Sequence, residues 1–270
     1  MTGSTEPPSF SWEDTLPQFS TVEKPGRITV ADPQPSENLR FFITVTFIPW
    51  VLVSAGAAFW VHGLASGDQS TWLGIIVFVG AFLPLLLTAI VADEARDTFG
   101  QRRTGIWFAL TPTLAAVVVG LLGSALWFDA AFRTVVVLIA VLCAVAAAIA
   151  ALMARWGIRY TRRRQAWMAS LRRHGVRSSG VLRQVQFRTR WTDGNPEFTV
   201  TVDFDGRHGR RTVTANMLAR PEQVPLAGSA LIVFSMPHDV GSDVLIELDP
   251  EHPPKFDRDP DRRYRKPTGN

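Results

Sequence analysis

FFITVTFIPWVLVSAGAAFWV, residues 41–61, opens a block of four apolar runs that decides the fold. The others are WLGIIVFVGAFLPLLLTAIV (72–91), IWFALTPTLAAVVVGLLGSALWF (106–128) and TVVVLIAVLCAVAAAIAALMA (134–154). Each reaches the ~20 apolar residues that carry a helix across a ~30 Å hydrocarbon core. No run contains a charged side chain. A helix that faces water keeps a polar side, and four successive helices without one cannot be the core of a soluble domain. The block therefore predicts a membrane-embedded all-α four-helix bundle over residues 41–154.

Polar gaps set the expected orientation. Gap 62–71 holds one Asp and neither Lys nor Arg, whereas gap 92–105 holds Arg96, Arg102 and Arg103. The last run is followed at once by Arg155, Arg159, Arg162, Arg163 and Arg164. Basic residues mark the cytoplasmic side, so the expectation is a multi-pass protein of the plasma membrane with both termini in the cytoplasm. Trp60, Trp72, Trp107 and Trp127 sit near run ends, where aromatic anchors meet the interface.

Composition agrees. Hydrophobic residues make up 47% of the chain, yet mean hydropathy is only +0.11 because both ends are polar. Net charge is +4, and the single cysteine, Cys143, falls inside the fourth run. One thiol excludes an intramolecular disulfide framework and a cysteine metal cluster. Residues 1–40 are rich in Pro, Ser, Thr and acids, contain no signal-peptide core and read as a disordered cytoplasmic tail. Phe10, Trp12 and Phe19 are the aromatic positions there that could dock a partner. Residues 251–270, charged and proline-rich, read as a second disordered tail.

Within the runs, Pro49, Pro84 and Pro112 are expected as kinks or, in a carrier, hinges. Ala140, Ala144 and Ala148 recur every fourth residue, and Gly120 with Ser124 forms a shorter notch. Such small residues let backbones approach closely, within the bundle or in a homo-oligomer. Asp93, Glu94 and Asp97 cluster at the end of the second run and are the candidate ion site of a transporter. The expectation favours a solvated ion-pair loop there, because Arg96, Arg102 and Arg103 are close in sequence.

Residues 155–190 contain many arginines and no acid. Trp156, Tyr160, Trp167, Met168 and Leu171 recur at helical spacing, so 155–175 reads as a basic amphipathic helix lying on anionic lipid. Its expected lipid contacts are Arg155, Arg159, Arg162, Arg163, Arg164, Trp167, Arg172 and Arg173. Beside a membrane run, lipid contact explains these charges better than nucleic acid does.

Over residues 176–250 the period changes to two. Val181, Val185, Phe187 and Trp191 share one parity, and Phe198, Val200, Val202 and Phe204 alternate with polar residues. DGRHG (205–209) joins two strands as a hairpin. ALIVFSM and DVLIEL follow, which makes five strands and a small antiparallel β-barrel, SH3-like or OB-like. SSGVLRQVQF, the glycine hairpin, PLAGSALIVFSMPHD and LIELDP resemble an uncharacterised family of actinobacterial and other bacterial multi-pass membrane proteins with a C-terminal small β-domain. Gly180, Gly206, Gly228 and Pro237 are the matching positions, and many members carry an aromatic where this chain has Phe234. The resemblance covers about the last third of the chain and implies an architecture without an assigned activity.

Catalytic punctuation is missing from the sequence. There is no Walker A loop, no GxSxG, no HExxH and no cysteine pair, and the histidines at 62, 174, 208, 238 and 252 are dispersed. No cofactor, metal or catalytic residue is nominated; His238–Asp239 reads as a turn contact. The leading functional expectation is a non-enzymatic scaffold that presents the β-domain to a protein partner. The alternatives are a small transporter or transporter subunit and, less favoured, an enzyme acting on lipid head groups.

Overall fold

The structure is a computed structural model. It describes residues 15–24, 26–67, 71–192, 194–206, 209–236 and 243–256. Phe10, Trp12, His208, Pro237, His238 and Asp239 lie outside the described residues, as do residues 257–270; of the C-terminal segment expected to be disordered, 251–256 are described, and Phe256 forms a β-bridge with Pro225. The chain divides into two compact units, Gln34–Thr161 and a second that combines Met1–Pro33 with Arg162–Asn270.

The first unit consists of helices α1 (Leu39–Ala65), α2 (Thr71–Phe99), α3 (Arg102–Ala125) and the start of α4 (Ala130–His174). All four are long and apolar enough to cross a membrane. Their outward surface is apolar as well: Phe78 is 83% exposed and Phe82 71%. In water such a surface would aggregate, whereas in hydrocarbon it is the compatible solvent-facing side.

Small residues set the helix contacts. A Cβ on Gly120 would fall on the Ser54 hydroxyl and the Val51 carbonyl, so α1 and α3 touch backbone to backbone. Gly105 does the same for α3 against the Ala92 carbonyl of α2. Pro49, Pro84 and Pro112 all lie inside continuous helices. Beside Pro84, the Thr88 hydroxyl donates to the Pro84 carbonyl (2.7 Å), accepts from Trp50 Nε1 (2.9 Å) and meets Thr113 Oγ1 (3.2 Å). Buried polar groups thereby satisfy one another across three helices.

Of the small-residue ridge on α4, Ala140 is buried within the chain. Val136, Ala140, Ala150, Ala154 and Thr161 are buried, with Cys143, Ala147 and Gly157 half-buried between them. These positions alternate steps of four and three. Ala144 and Ala148 are exposed. The reason is geometric. A strict four-residue step advances ~40° around a helix each time, whereas the alternating step averages 3.5 residues and stays on one side. Gly120 and Ser124 are buried.

The second unit is an antiparallel sheet of six strands in the order β1-β4-β3-β2-β5-β6. The strands are β1 (Gln18–Ser20), β2 (Val176–Thr192), β3 (Asn195–Gly206), β4 (Gly209–Leu218), β5 (Ala230–Ser235) and β6 (Leu245–Leu248). The end strands β1 and β6 approach each other, so the sheet is nearly closed. Its core packs Leu182, Phe198, Val200, Val202, Met217, Leu231 and Val233 together.

Three expectations need correction here. The described residues of 15–33 do not form a disordered tail. Phe19 packs in the core, β1 pairs with β4 at Phe19↔Met217, and the Glu23 carboxylate accepts from the Thr29 amide (2.5 Å) and the Thr29 hydroxyl. The parity of β2 also shifts. Leu182 pairs with Val202 but Gln184 with Thr201, which leaves Arg183 as an extra residue, a β-bulge. Leu182 is therefore fully buried and Val181 47% exposed. Finally, α4 runs unbroken to His174, and its last turns do not form a separate surface helix. Met168 and Leu171 are buried against Leu245, with Trp167 and Phe234 alongside.

Glycine at 180 is required by close approach. It pairs at once with Phe204 on β3 and Leu231 on β5, and a Cβ there would come within 2.9 Å of Val233. Gly228 adopts φ +91°, a left-handed turn that brings its amide to the Leu182 carbonyl at 2.7 Å.

Candidate functional site

Where β1 and β6 meet, the sheet keeps a seam. It narrows at one point, where the Thr21 hydroxyl donates to the Val244 carbonyl at 3.3 Å. Alongside lies a groove of about 230 Å³. Leu16 and Phe19 line it from the N-terminal segment, Met168 from α4, and Leu245 and Leu248 from β6. Among the described residues β6 pairs with β5 alone and β1 with β4 alone, so each presents an unpaired strand edge.

The groove's rim is charged. Arg172 donates through Nε to Glu247 Oε1 (2.7 Å) and through Nη1 to Asp32 Oδ2 (2.8 Å). Two carboxylates thus share one guanidinium. Arg172 was expected on lipid, as was Trp167; the structure uses the first in this ion-pair bridge and packs the second against the β-domain core. Arg164 lies over the Trp167 ring at 3.9 Å. Arg155, Arg159, Arg162, Arg163 and Arg173 are exposed, as are Trp156 and Tyr160.

The acidic trio of the second helix does not converge. Asp93 pairs with Arg96 (3.1 Å), Glu94 accepts from the Ser36 hydroxyl, and Asp97 is half-buried. Among the described residues, the one set of potential metal-binding side chains with ligand atoms within 4.8 Å of one another is Asp249, Glu251 and His252. All belong to the exposed turn after β6, where the His252 ring meets Asp249 at 2.8 Å and the Glu251 amide donates to it. Those contacts, the His252 bond first, hold the Asp249 carboxyl below its ordinary range.

Two further polar knots are structural. Asp129 caps α4 by accepting from the amides of Ala131 (3.1 Å) and Phe132 (3.2 Å), and it meets His62 Nε2 at 3.2 Å. The Phe132 amide leads the causes that lower the Asp129 pKa, followed by the His62 bond. On the sheet, Asp203 accepts from the Thr212 hydroxyl (2.6 Å) and Arg210 (3.2 Å), with Arg183 at 3.8 Å.

Sequence reasoning found the strands that frame the groove but missed its N-terminal wall. Leu16, Phe19 and Val30 were the available signal, apolar residues in a polar segment, and all three are buried. A three-residue strand is too short for a period to be read. No protein-family model matches this chain, and comparisons with curated proteins and with solved structures found no match.

Proposed function

We propose that the chain is a non-enzymatic plasma-membrane scaffold whose helices hold a cytoplasmic β-domain ready for a protein partner. One observation carries the reading. The segment before α1 and the segment after α4 build a single sheet, joined by β1 and β4. That shared sheet supports a reading in which the two flanking segments lie on one side of any membrane that the helices cross, as four crossings allow. Arg96, Arg102, Arg103 and the arginine run after 154 favour the cytoplasm as that side.

Lipid contact belongs to this reading. Arg155, Arg159, Arg162 and Arg163 with Trp156 and Tyr160 form an exposed basic and aromatic collar on α4. Each arginine near an anionic leaflet adds about 1 kcal/mol.

Co-purification from native membranes in mild detergent tests the proposal, with the full chain beside one ending at Arg173. A partner retained by the full chain alone is the expected outcome. A partner retained by both moves the contact to the helices. If neither retains one, the scaffold reading fails and transport assays with Asp93→Asn and Glu94→Gln take its place.

A further inference from the structure

We infer that the groove between β1 and β6 receives one bulky apolar side chain from an extended protein segment whose neighbouring residues are basic. The inference rests on the scaffold reading and names the chemistry of the partner.

Size comes first. A dry cavity of about 150 Å³ lined by apolar side chains holds benzene. The groove here measures about 230 Å³, enough for a Phe or Leu side chain, and polar residues including Asp32, Arg172 and Glu247 line it beside the apolar Phe19, Met168 and Leu245. Shape agrees with an extended ligand, because the groove runs beside two strand edges that have no ladder partner among the described residues. An extended peptide can add to an exposed sheet edge.

Charge selects the flanks. Asp32, whose side chain is 76% exposed, and Glu247 face one cation, Arg172, which leaves the rim with an excess of one negative charge. A Lys or Arg beside the anchor completes the pairing, and an acidic flank is repelled. The same rim disfavours an anionic lipid, whose head group would meet these carboxylates.

The test uses the full chain in nanodiscs of neutral phosphatidylcholine and three fluorescein-labelled peptides followed by anisotropy. The probes are KRSFSRK, the same peptide with Ala for Phe, and EDSFSDE. Saturable binding of the first is expected, at least tenfold tighter than either of the others. Asp32→Asn, at an exposed position, should weaken KRSFSRK at least fivefold, and Gln18→Trp should block the groove, with the unfolding midpoint of each variant showing that it remains folded. Equal binding of the Phe and Ala peptides, indifference to both substitutions, or no saturable binding overturns the inference. A partner that co-purifies equally with wild type and both variants overturns it too while the scaffold reading stands. Loss of all partner from the wild-type full chain refutes the scaffold reading instead.

Discussion

Leu182 and Val181 are neighbours of similar character, and the bulge at Arg183 sends one inward and the other out. Leu182→Ala is expected to destabilise the β-domain by about 2–5 kcal/mol, because it removes buried atoms and leaves a cavity. Val181→Ala should stay within about 0.5 kcal/mol. Denaturant unfolding of the two variants side by side checks this, and equal losses would contradict the bulged register. Asp203 supplies a pH test. The Thr212 hydroxyl bond first, then the nearby Arg183 and Arg210, lower its pKa from the ordinary carboxylate value against the opposing effect of burial. A depressed folded pKa stabilises the fold above the unfolded pKa of about 3.9 and loses that contribution as pH falls through the folded value. Acid unfolding of the β-domain should therefore have a component below about pH 4 that Asp203→Asn removes. An unaltered acid limb in that variant would show that the Thr212 and Arg210 bonds do not persist in solution.

Among the elements, β1 is the least legible and the most consequential. Three residues pair with β4, and Phe19 anchors them in the core. Phe19→Ala should cost about 3 kcal/mol and release the strand. Hydrogen exchange would report it: faster exchange at those amides of residues 216–218 that point toward β1 rather than β3, with α1–α3 protection unchanged. If those amides stay protected, β1 contributes no closure. The last turns of α4 show a comparable reassignment. Met168 and Leu171 have the spacing of a lipid-facing stripe, but a folded domain offered the same apolar burial without a bilayer. Amphipathic periodicity reports that a face must be covered and leaves open by what.

For the whole molecule, the testable statement is topology. Ser70→Cys, between α1 and α2, should react with a membrane-impermeant maleimide in intact cells, and Ser179→Cys, exposed on β2, should not. The reverse pattern ends the cytoplasmic assignment, and labelling of both ends the proposal of an intact crossing between them. Cys143, half-buried within α4, is the native thiol to replace first. The outcome also bears on the scaffold, since a β-domain outside the cell would meet a different set of partners.

The four helices, their approximate limits, the hairpin through 205–209 and the strands from 198 to 248 were legible in residue order. Each is encoded locally, by runs long enough to show a period or to span hydrocarbon. Packing faces were not. Whether Ala140 or Ala144 is covered depends on which neighbour arrives and on the 3.5-residue step its contact imposes. The capture of residues 15–33 by a sheet whose other strands begin at Val176 depended on tertiary structure alone. So did the Asp32–Arg172–Glu247 bridge, which joins residues 140 and 75 positions apart. No local pattern encodes a contact over that separation; it exists only once the folded sheet has brought Asp32, Arg172 and Glu247 together.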